Sequence, residues 1–196
     1  GEIHIAWDGK ETGYTQLPRP GDLKLSDDAA LVHMTSNETI EGVQFTAEPE
    51  AGHAPLVCDA SSDFLSRPVP VNRYGIIYAC AQKNIGPAGA TLVVIRKDLL
   101  ERCQDTLPSY LNYAQHAKSN SMFNTPCTFA VYMVGLVAKW LLNDIGGLSA
   151  MSEINQRKAA MLYDVIDENS NFYRGHAHPD CRSLMNVTFR LPTEEL

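Results

Sequence analysis

Clusters of basic residues, paired cysteines and long apolar runs are scarce in this sequence. No run of lysine and arginine occurs in its 196 residues and the net charge is −7, so we expect no nucleic-acid partner. The five cysteines form no C-x-x-C pair, which favours a reducing, cytoplasmic setting over a disulfide scaffold. No apolar run approaches the roughly 20 residues of a membrane span, so no membrane partner is expected either.

The two ends of the sequence predict a piece of a longer protein. The chain opens on Gly1 without an initiator Met, and residues 192–196 are typical of the start of a helix. A sequence that begins and ends within such elements is typical of a fragment.

Short apolar segments in the first half predict an α/β sheet. Four of them are expected to be strands: residues 31–35, 55–59, 75–79 and 91–96. Their nearly continuous apolar character is typical of strands that are buried on both faces and covered by helices. The Gly-Pro-Ala-Gly turn at residues 86–89 is too short for a helical crossover, so the last two strands should be antiparallel. We therefore predict a mixed, mostly parallel sheet.

Two helices are predicted in the second half. The first begins at Thr125-Pro126, where a capping residue precedes a proline at the first helical position, and it ends at Gly146-Gly147. Its almost complete apolarity predicts burial on most sides. The second helix runs from residue 148 to about 168. Residues that recur every three or four positions form one apolar stripe along it: Met151, Ile154, Lys158, Leu162, Val165 and Ile166.

The glycine pair also predicts a domain boundary. Residues 1–150 are expected to be part of a large domain, and residues 151–196 the beginning of a small C-terminal α/β domain. Within the latter, residues 183–191 alternate between apolar and polar types and predict a half-buried strand.

Lys83 lies between an apolar strand and a glycine-rich turn. Partial desolvation in that position would favour the free amine that a Schiff-base lysine needs. From the residues alone, a lysine that extends from a strand end into solvent is an open alternative.

Four further polar residues follow predicted strands or precede the apolar helix. Asp59 follows an apolar strand, where a carboxylate can keep a pyridine nitrogen protonated or, alternatively, cap the following serine turn. Thr39 lies in a polar loop after the first strand. Asn124 and Thr125 precede the apolar helix, whose start can bind phosphate or be capped by Thr125 itself.

Three segments of the chain resemble the phosphoserine aminotransferase family. They are the nonapeptide Ala81-Gln82-Lys83-Asn84-Ile85-Gly86-Pro87-Ala88-Gly89, the tetrapeptide Asp59-Ala60-Ser61-Ser62, and residues 35–42. The nonapeptide is similar to the cofactor-lysine segment of that family, and the resemblance extends over essentially the whole chain. It implies the fold type I architecture of transferases that use pyridoxal 5′-phosphate.

The resemblance also implies a role for each candidate residue. Lys83 would form the Schiff base with the cofactor and later move the α proton, with Gln82 in contact beside it. Asp59 would pair with the pyridinium nitrogen, and Thr39 would donate to the phenolic oxygen. Asn124 and Thr125 would reach the phosphate of the neighbouring cofactor across a homodimer interface.

The implied reaction is amino-group transfer from glutamate to 3-phosphohydroxypyruvate, which gives O-phosphoserine and 2-oxoglutarate. It belongs to serine biosynthesis and, in many bacteria, to pyridoxine synthesis. Because the family's substrate-binding arginines have no match in this chain, we expect the chain alone to be inactive.

Two alternative interpretations stay open. One is another fold type I enzyme, of the alanine–glyoxylate aminotransferase or cysteine desulfurase type, and the other is a fragment that does not catalyse a reaction. No metal is expected, since the His and Cys residues between His176 and Cys181 match no common zinc motif.

Overall fold

The computed structural model describes residues 1–193. Its strands are β1 (Val32–Thr35), β2 (Asn37–Glu38), β3 (Val43–Gln44), β4 (Leu56–Asp59), β5 (Tyr74–Cys80), β6 (Thr91–Ile95), β7 (Arg174–Gly175) and β8 (Phe189–Arg190). Its α-helices are α1 (Ala81–Asn84), α2 (Lys97–Leu100), α3 (Tyr113–Lys118), α4 (Thr128–Trp140) and α5 (Leu148–Glu168).

A four-stranded sheet in the order β1-β4-β5-β6 organises the first half. The pairs β1–β4 and β4–β5 are parallel, whereas β5–β6 is antiparallel. The predicted mixed sheet and its antiparallel pair are both confirmed. Strand β6 is not buried on both faces as predicted, because it lies at the edge of this sheet and its Val93 and Val94 are 37% and 40% exposed.

The main hydrophobic core covers one face of the sheet. Met34, Cys58 and Ile77 stand side by side in the register of β1, β4 and β5, and all three are buried. Because side chains alternate along a strand, their neighbours Thr35, Asp59 and Tyr78 project from the opposite face. The core thus fixes which side chains are presented on the other side of the sheet.

Helix α4 differs from its prediction in both start and burial. It begins at Thr128, two residues after the predicted first helical residue Pro126, and its N-cap Cys127 makes no capping bond through its side chain. Ala130 is buried, but Phe129, Tyr132 and Trp140 are 66%, 62% and 46% exposed. The prediction of burial on most sides is wrong for this chain, because apolarity indicates that a helix is covered without indicating by what.

The same region contains a longer apolar helical stretch than the sequence analysis expected. Helix α4 and the π-helical turn Leu141–Ile145 together give an 18-residue helical stretch with a mean hydropathy of 1.3, of which 11% is buried. By length and composition alone, this stretch is long enough and apolar enough to cross a membrane. Helices that are buried in a core or covered by a partner have the same length and composition.

Helix α5 has the predicted bounds but a different buried face. Its buried residues are Asn155, Ala159, Tyr163 and Ile166, so the observed stripe is shifted by about one position from the predicted one. Leu162 and Val165 are 54% and 50% exposed. The buried Asn155 compensates its polarity by donating to the carbonyl oxygen of Ser66 at 3.1 Å.

The C-terminal segment has less strand than predicted. Of residues 183–191, Phe189–Arg190 form β8, which pairs antiparallel with β7. The predicted helix start at residues 192–196 falls largely outside the described part of the chain, and the domain boundary near residue 150 stays a prediction.

Candidate functional site

Three parallel strands bring the predicted site residues to one edge of the sheet. Strands β1, β4 and β5 end at Thr35, Asp59 and Cys80, and Thr35 and Asp59 pair directly in the register. The segments that follow these strands therefore converge at their carboxyl ends, where ligands bind in α/β folds.

Lys83 and Thr39 are in direct contact at this edge. Helix α1 continues from β5 as a single turn, and the Lys83 Nζ donates to Thr39 Oγ1 at 2.8 Å. Ala81 and Ile85 on either side of the lysine are 0% and 1% exposed and anchor the turn. The predicted desolvation of Lys83 is wrong for this chain, since its side chain is exposed.

The glycine-rich turn after Lys83 packs closely against α4. A Cβ atom on Gly86 would lie 2.9 Å from Val134 Cγ2, and one on Gly89, where φ is +110°, would lie 3.1 Å from Cys127 Sγ. Larger residues would push the two segments apart. The glycines therefore hold the lysine turn against the first turns of the apolar helix.

Asp59 has one of its carboxylate oxygens in a local bond. Its Oδ1 accepts from the backbone N–H of Ser61 at 2.9 Å, as the capping interpretation predicts. The side chain is partly exposed at the carboxyl end of β4. A cap through one oxygen is compatible with a second acceptor role for the carboxylate.

Two aromatic side chains that sequence analysis overlooked lie beside Asp59. Tyr78 is the register partner of Asp59, and its hydroxyl lies 3.0 Å from His33 Nε2. Burial, and next the charge and hydrogen bonding of Asp59, raise the pKa of Tyr78 above its ordinary value. The alternation of His33 and Thr35 along β1, which places both on the Asp59 face, was the signal available in the sequence.

A buried polar network fixes the loop that carries Thr39. Asn37, which is 1% exposed, donates to Ser62 Oγ at 2.8 Å and to Asn186 Oδ1 at 2.7 Å. Its Oδ1 accepts from the Ser183 hydroxyl at 2.5 Å. These bonds join the loop after β1 to the turn after β4 and to the C-terminal segment, and no local sequence pattern announced them.

The remaining predicted residues are not part of this cluster. Gln82 is exposed on α1, and Asn124 and Thr125 are exposed in the segment before α4. Within residues 1–193, neither of the latter two side chains is hydrogen-bonded to Lys83, Thr39 or Asp59. Helix α4 starts at Thr128, so these two residues precede it and do not begin it.

Residues 1–193 hold no group of three or more His, Cys, Asp and Glu side chains that could bind a metal ion. The Nε2 atom of His176 lies 2.7 Å from Oε2 of Glu41.

The chain is similar to known proteins along its whole length. A family model described as aminotransferase class-V matches residues 8–195. The chain is 53% identical to phosphoserine aminotransferase of Rhodopirellula baltica over 197 residues, which cover 100% of this chain and 52% of that protein.

Two solved structures are similar over almost the whole chain. Phosphoserine aminotransferase from Bacillus circulans subsp. alkalophilus superposes with a TM-score of 0.96 at 47% identity, covering 100% of this chain and 54% of that one. A phosphoserine aminotransferase from Trichomonas vaginalis with bound PLP has a TM-score of 0.85 at 43% identity, covering 92% and 52%. The chain thus spans about half the length of the curated relatives it matches.

Proposed function

This chain belongs to the class-V aminotransferase family, and we propose that the complete protein is a cytoplasmic phosphoserine aminotransferase that uses pyridoxal 5′-phosphate. It transfers the amino group of glutamate to 3-phosphohydroxypyruvate, giving O-phosphoserine and 2-oxoglutarate. This reaction serves serine biosynthesis and, in many bacteria, pyridoxine synthesis. Relatives that match the entire chain carry this name, which supports the proposal.

The contact between Lys83 and Thr39 is the observation that carries the proposal. A primary amine, a hydroxyl and the Asp59 carboxylate stand at one sheet edge, the amine and the hydroxyl 2.8 Å apart. These groups fit the cofactor, which offers an aldehyde to an amine, a phenolic oxygen to a hydroxyl donor and a ring nitrogen to a carboxylate. When bound, the cofactor supplies an electron sink for the substrate α-carbon.

The side chains of this chain would divide the work. Lys83 would hold the cofactor through its Nζ and move a proton there, and the Thr39 hydroxyl already accepts a hydrogen bond from this atom. Asp59 holds a proton on the ring nitrogen by its negative charge. Gln82, exposed beside the lysine, contacts the cofactor from the same turn.

The two alternatives are separated by the nonapeptide around Lys83. An enzyme of the alanine–glyoxylate aminotransferase or cysteine desulfurase type would also have a lysine and an aspartate, but we do not expect residues 82–89 as one block in it. The block favours the first proposal over the other enzyme types, and the assay of the complete protein tests the fragment interpretation.

The apolar side of α4 supports a homodimer. Phe129, Tyr132 and Trp140 are exposed in the single chain, and Asn124 and Thr125 lie directly before this helix. We propose that a second copy, not lipid, covers this side. That packing would carry Asn124 and Thr125 of each copy toward the cofactor phosphate of the other.

Sharing across the interface predicts recovery of activity in mixed dimers. A Lys83→Ala subunit combined with an Asn124→Ala/Thr125→Ala subunit should give heterodimers with one undamaged site, and about half the activity of the wild-type dimer per heterodimer. Heterodimers are purified through two different affinity tags and assayed at saturating cofactor. If dimers are confirmed by mass and no activity returns, the two residues act within their own subunit.

The proposed activity itself is tested by assaying the complete protein and this chain side by side. With glutamate and 3-phosphohydroxypyruvate, the complete protein should release 2-oxoglutarate, whereas the 196-residue chain should not. Proximity of the bound substrate supplies about 7–11 kcal/mol of barrier reduction in favourable cases, and it requires groups that pair both anionic ends of the substrate. Turnover by the chain within about tenfold of the complete protein would contradict the assumption that substrate binding needs more than this chain.

A substrate panel provides the control for the same experiment. Alanine with glyoxylate, and cysteine alone, are given to the complete protein under identical conditions. Preference for either over the phosphorylated keto acid would transfer the proposal to the corresponding alternative.

A further inference from the structure

We propose that Tyr78 and His33 are positioning residues that hold the Asp59 carboxylate toward the ring nitrogen of the cofactor, through a hydrogen-bond chain from imidazole to phenol to carboxylate. The proposal rests on the proposed function, because it concerns the same cofactor site. It assigns a role to two side chains of the sheet face that otherwise have none.

The geometry of the pair places it directly over the strand of Asp59. Strands β1 and β5 are separated by β4, so at about 4.8 Å per strand spacing their backbones lie roughly 9–10 Å apart. The His33 Nε2 and the Tyr78 hydroxyl nevertheless meet at 3.0 Å, with ring centroids 6.1 Å apart. The two side chains therefore bridge β4 on the face from which Asp59 projects.

Register puts Asp59 at this bridge. Asp59 pairs with Tyr78 on one side and with Thr35 on the other, and His33 is two residues before Thr35 on the same face. A side chain that leaves β4 at residue 59 thus has the phenol as its direct neighbour. The carboxylate is also bonded locally, since its Oδ1 accepts from the Ser61 N–H.

Asp59 is an acceptor at neutral pH, so the hydrogen bonds between the three side chains run toward its carboxylate. Tyr78 is the register neighbour of Asp59 across β4 and β5, so its hydroxyl is the donor placed beside the carboxylate. Burial, and next Asp59 itself, raise the pKa of Tyr78, so the phenol keeps its proton at neutral pH. The phenol oxygen then accepts, and the imidazole Nε2–H is its donor at 3.0 Å. The proposed direction corresponds to the Nε2–H tautomer of His33.

A cofactor analogue separates positioning of Asp59 from a general structural role. Dissociation constants of the complete protein are measured for pyridoxal phosphate and for its 1-deaza analogue, in which carbon replaces the ring nitrogen. Tyr78→Phe should weaken binding of pyridoxal phosphate by about tenfold or more and leave the analogue unchanged, as expected for loss of a hydrogen bond to a charged group. Asp59→Asn should show the same selectivity, and the two changes should not add.

His33 is tested with a donor-retaining and a donor-free variant. His33→Gln keeps an N–H group near the Nε2 position and should retain most of the preference for pyridoxal phosphate over the analogue. His33→Leu should lose part of that preference. Because His33 is exposed, these variants remain informative if Tyr78→Phe fails to fold.

Tyr163→Phe is the matched control for the phenol. Tyr163 lies on α5, and its hydroxyl donates to the carbonyl oxygen of Ser183 at 2.8 Å. Removal of this hydroxyl therefore also deletes a buried hydrogen bond. It should lower the melting temperature without changing the preference for pyridoxal phosphate over the analogue.

Two results would overturn the proposal. One is equal weakening of both ligands in Tyr78→Phe, which would make the bridge structural, and the other is no change in either. Both differ from failure of the proposed function, in which the wild-type protein itself would not bind pyridoxal phosphate more tightly than the analogue.

Discussion

Replacing Lys83 by alanine in the complete protein is expected to lower the transamination rate by at least about 10⁴-fold. The substitution removes the amine that we propose binds the cofactor and moves the α proton, and positioned acid–base groups alone contribute about 10²–10⁴-fold. The fold should be unaffected, because the Lys83 side chain is exposed and its hydrogen bond to Thr39 is a surface contact.

The same lysine should be recovered chemically. Borohydride reduction of the wild-type protein loaded with cofactor is expected to fix the cofactor on Lys83, in the peptide that contains α1. Peptide mapping by mass spectrometry reads out the modified position. An adduct on Lys10 or Lys97 would show that the catalytic amine has been misplaced.

Lys97→Ala is the matched control for the rate measurement. Lys97 is an exposed lysine at the start of another one-turn helix, α2, so its replacement removes the same charge from a similar local structure. Its transamination rate should equal that of the wild type. A comparable loss in both variants would mean that net charge, and not the amine at residue 83, governs the rate.

The sheet and the lysine turn could be predicted from local sequence. Apolar β-branched runs gave the four strands within about a residue, and the four-residue turn at residues 86–89 required an antiparallel pair. The convergence of Asp59 and the Thr39 loop at one edge then follows from parallel pairing. These features depend on periodicity and loop length, which are present in a single sequence.

Burial could not be predicted in the same way. The apolarity of α4 correctly indicated a helix, but Phe129, Tyr132 and Trp140 are exposed because no element of residues 1–193 covers them. The desolvation expected for Lys83 fails for the same reason. Composition reports how apolar a segment is, whereas burial depends on the surface that packs against it.

Contacts between distant residues were also beyond the sequence. His33 and Tyr78 are 45 positions apart, and Asn37 is bonded to Ser183 and Asn186 across 146 and 149 positions. The local sequence of a polar loop or an apolar strand does not indicate which distant residue its side chains will contact. The α5 stripe failed on a related point, because the small Ala159 and the bonded Asn155 pack inward while Leu162 remains outside.

Asp59 offers the second large effect, and the structure shows how to separate its two roles. Asp59→Asn keeps an oxygen that can accept from the Ser61 N–H, but it removes the negative charge. If the charge keeps the cofactor ring nitrogen protonated, turnover should fall by about 10²–10³-fold, the range for loss of one electrostatic contact in an active site. Affinity for the cofactor should fall with it.

Asp59→Ala removes the cap as well as the charge. It should show a similar loss of turnover together with a loss of stability of about 1 kcal/mol, the net contribution of an ordinary hydrogen bond. Asp59→Asn should be close to wild type in its free energy of unfolding. The difference between the two variants therefore measures the capping role by itself.

Asp8→Asn is the control that makes the kinetic result specific. The Asp8 Oδ1 accepts from the backbone N–H of Lys10 at 3.0 Å, the same two-residue turn contact that Asp59 makes with Ser61, but away from the sheet edge. Its turnover should be unchanged, because it removes an equal charge from an equivalent turn. Steady-state kinetics of the complete protein with glutamate and 3-phosphohydroxypyruvate provide the comparison. Near-normal turnover in Asp59→Asn would leave Asp59 with the capping role alone, since the charge would then have no part in the reaction.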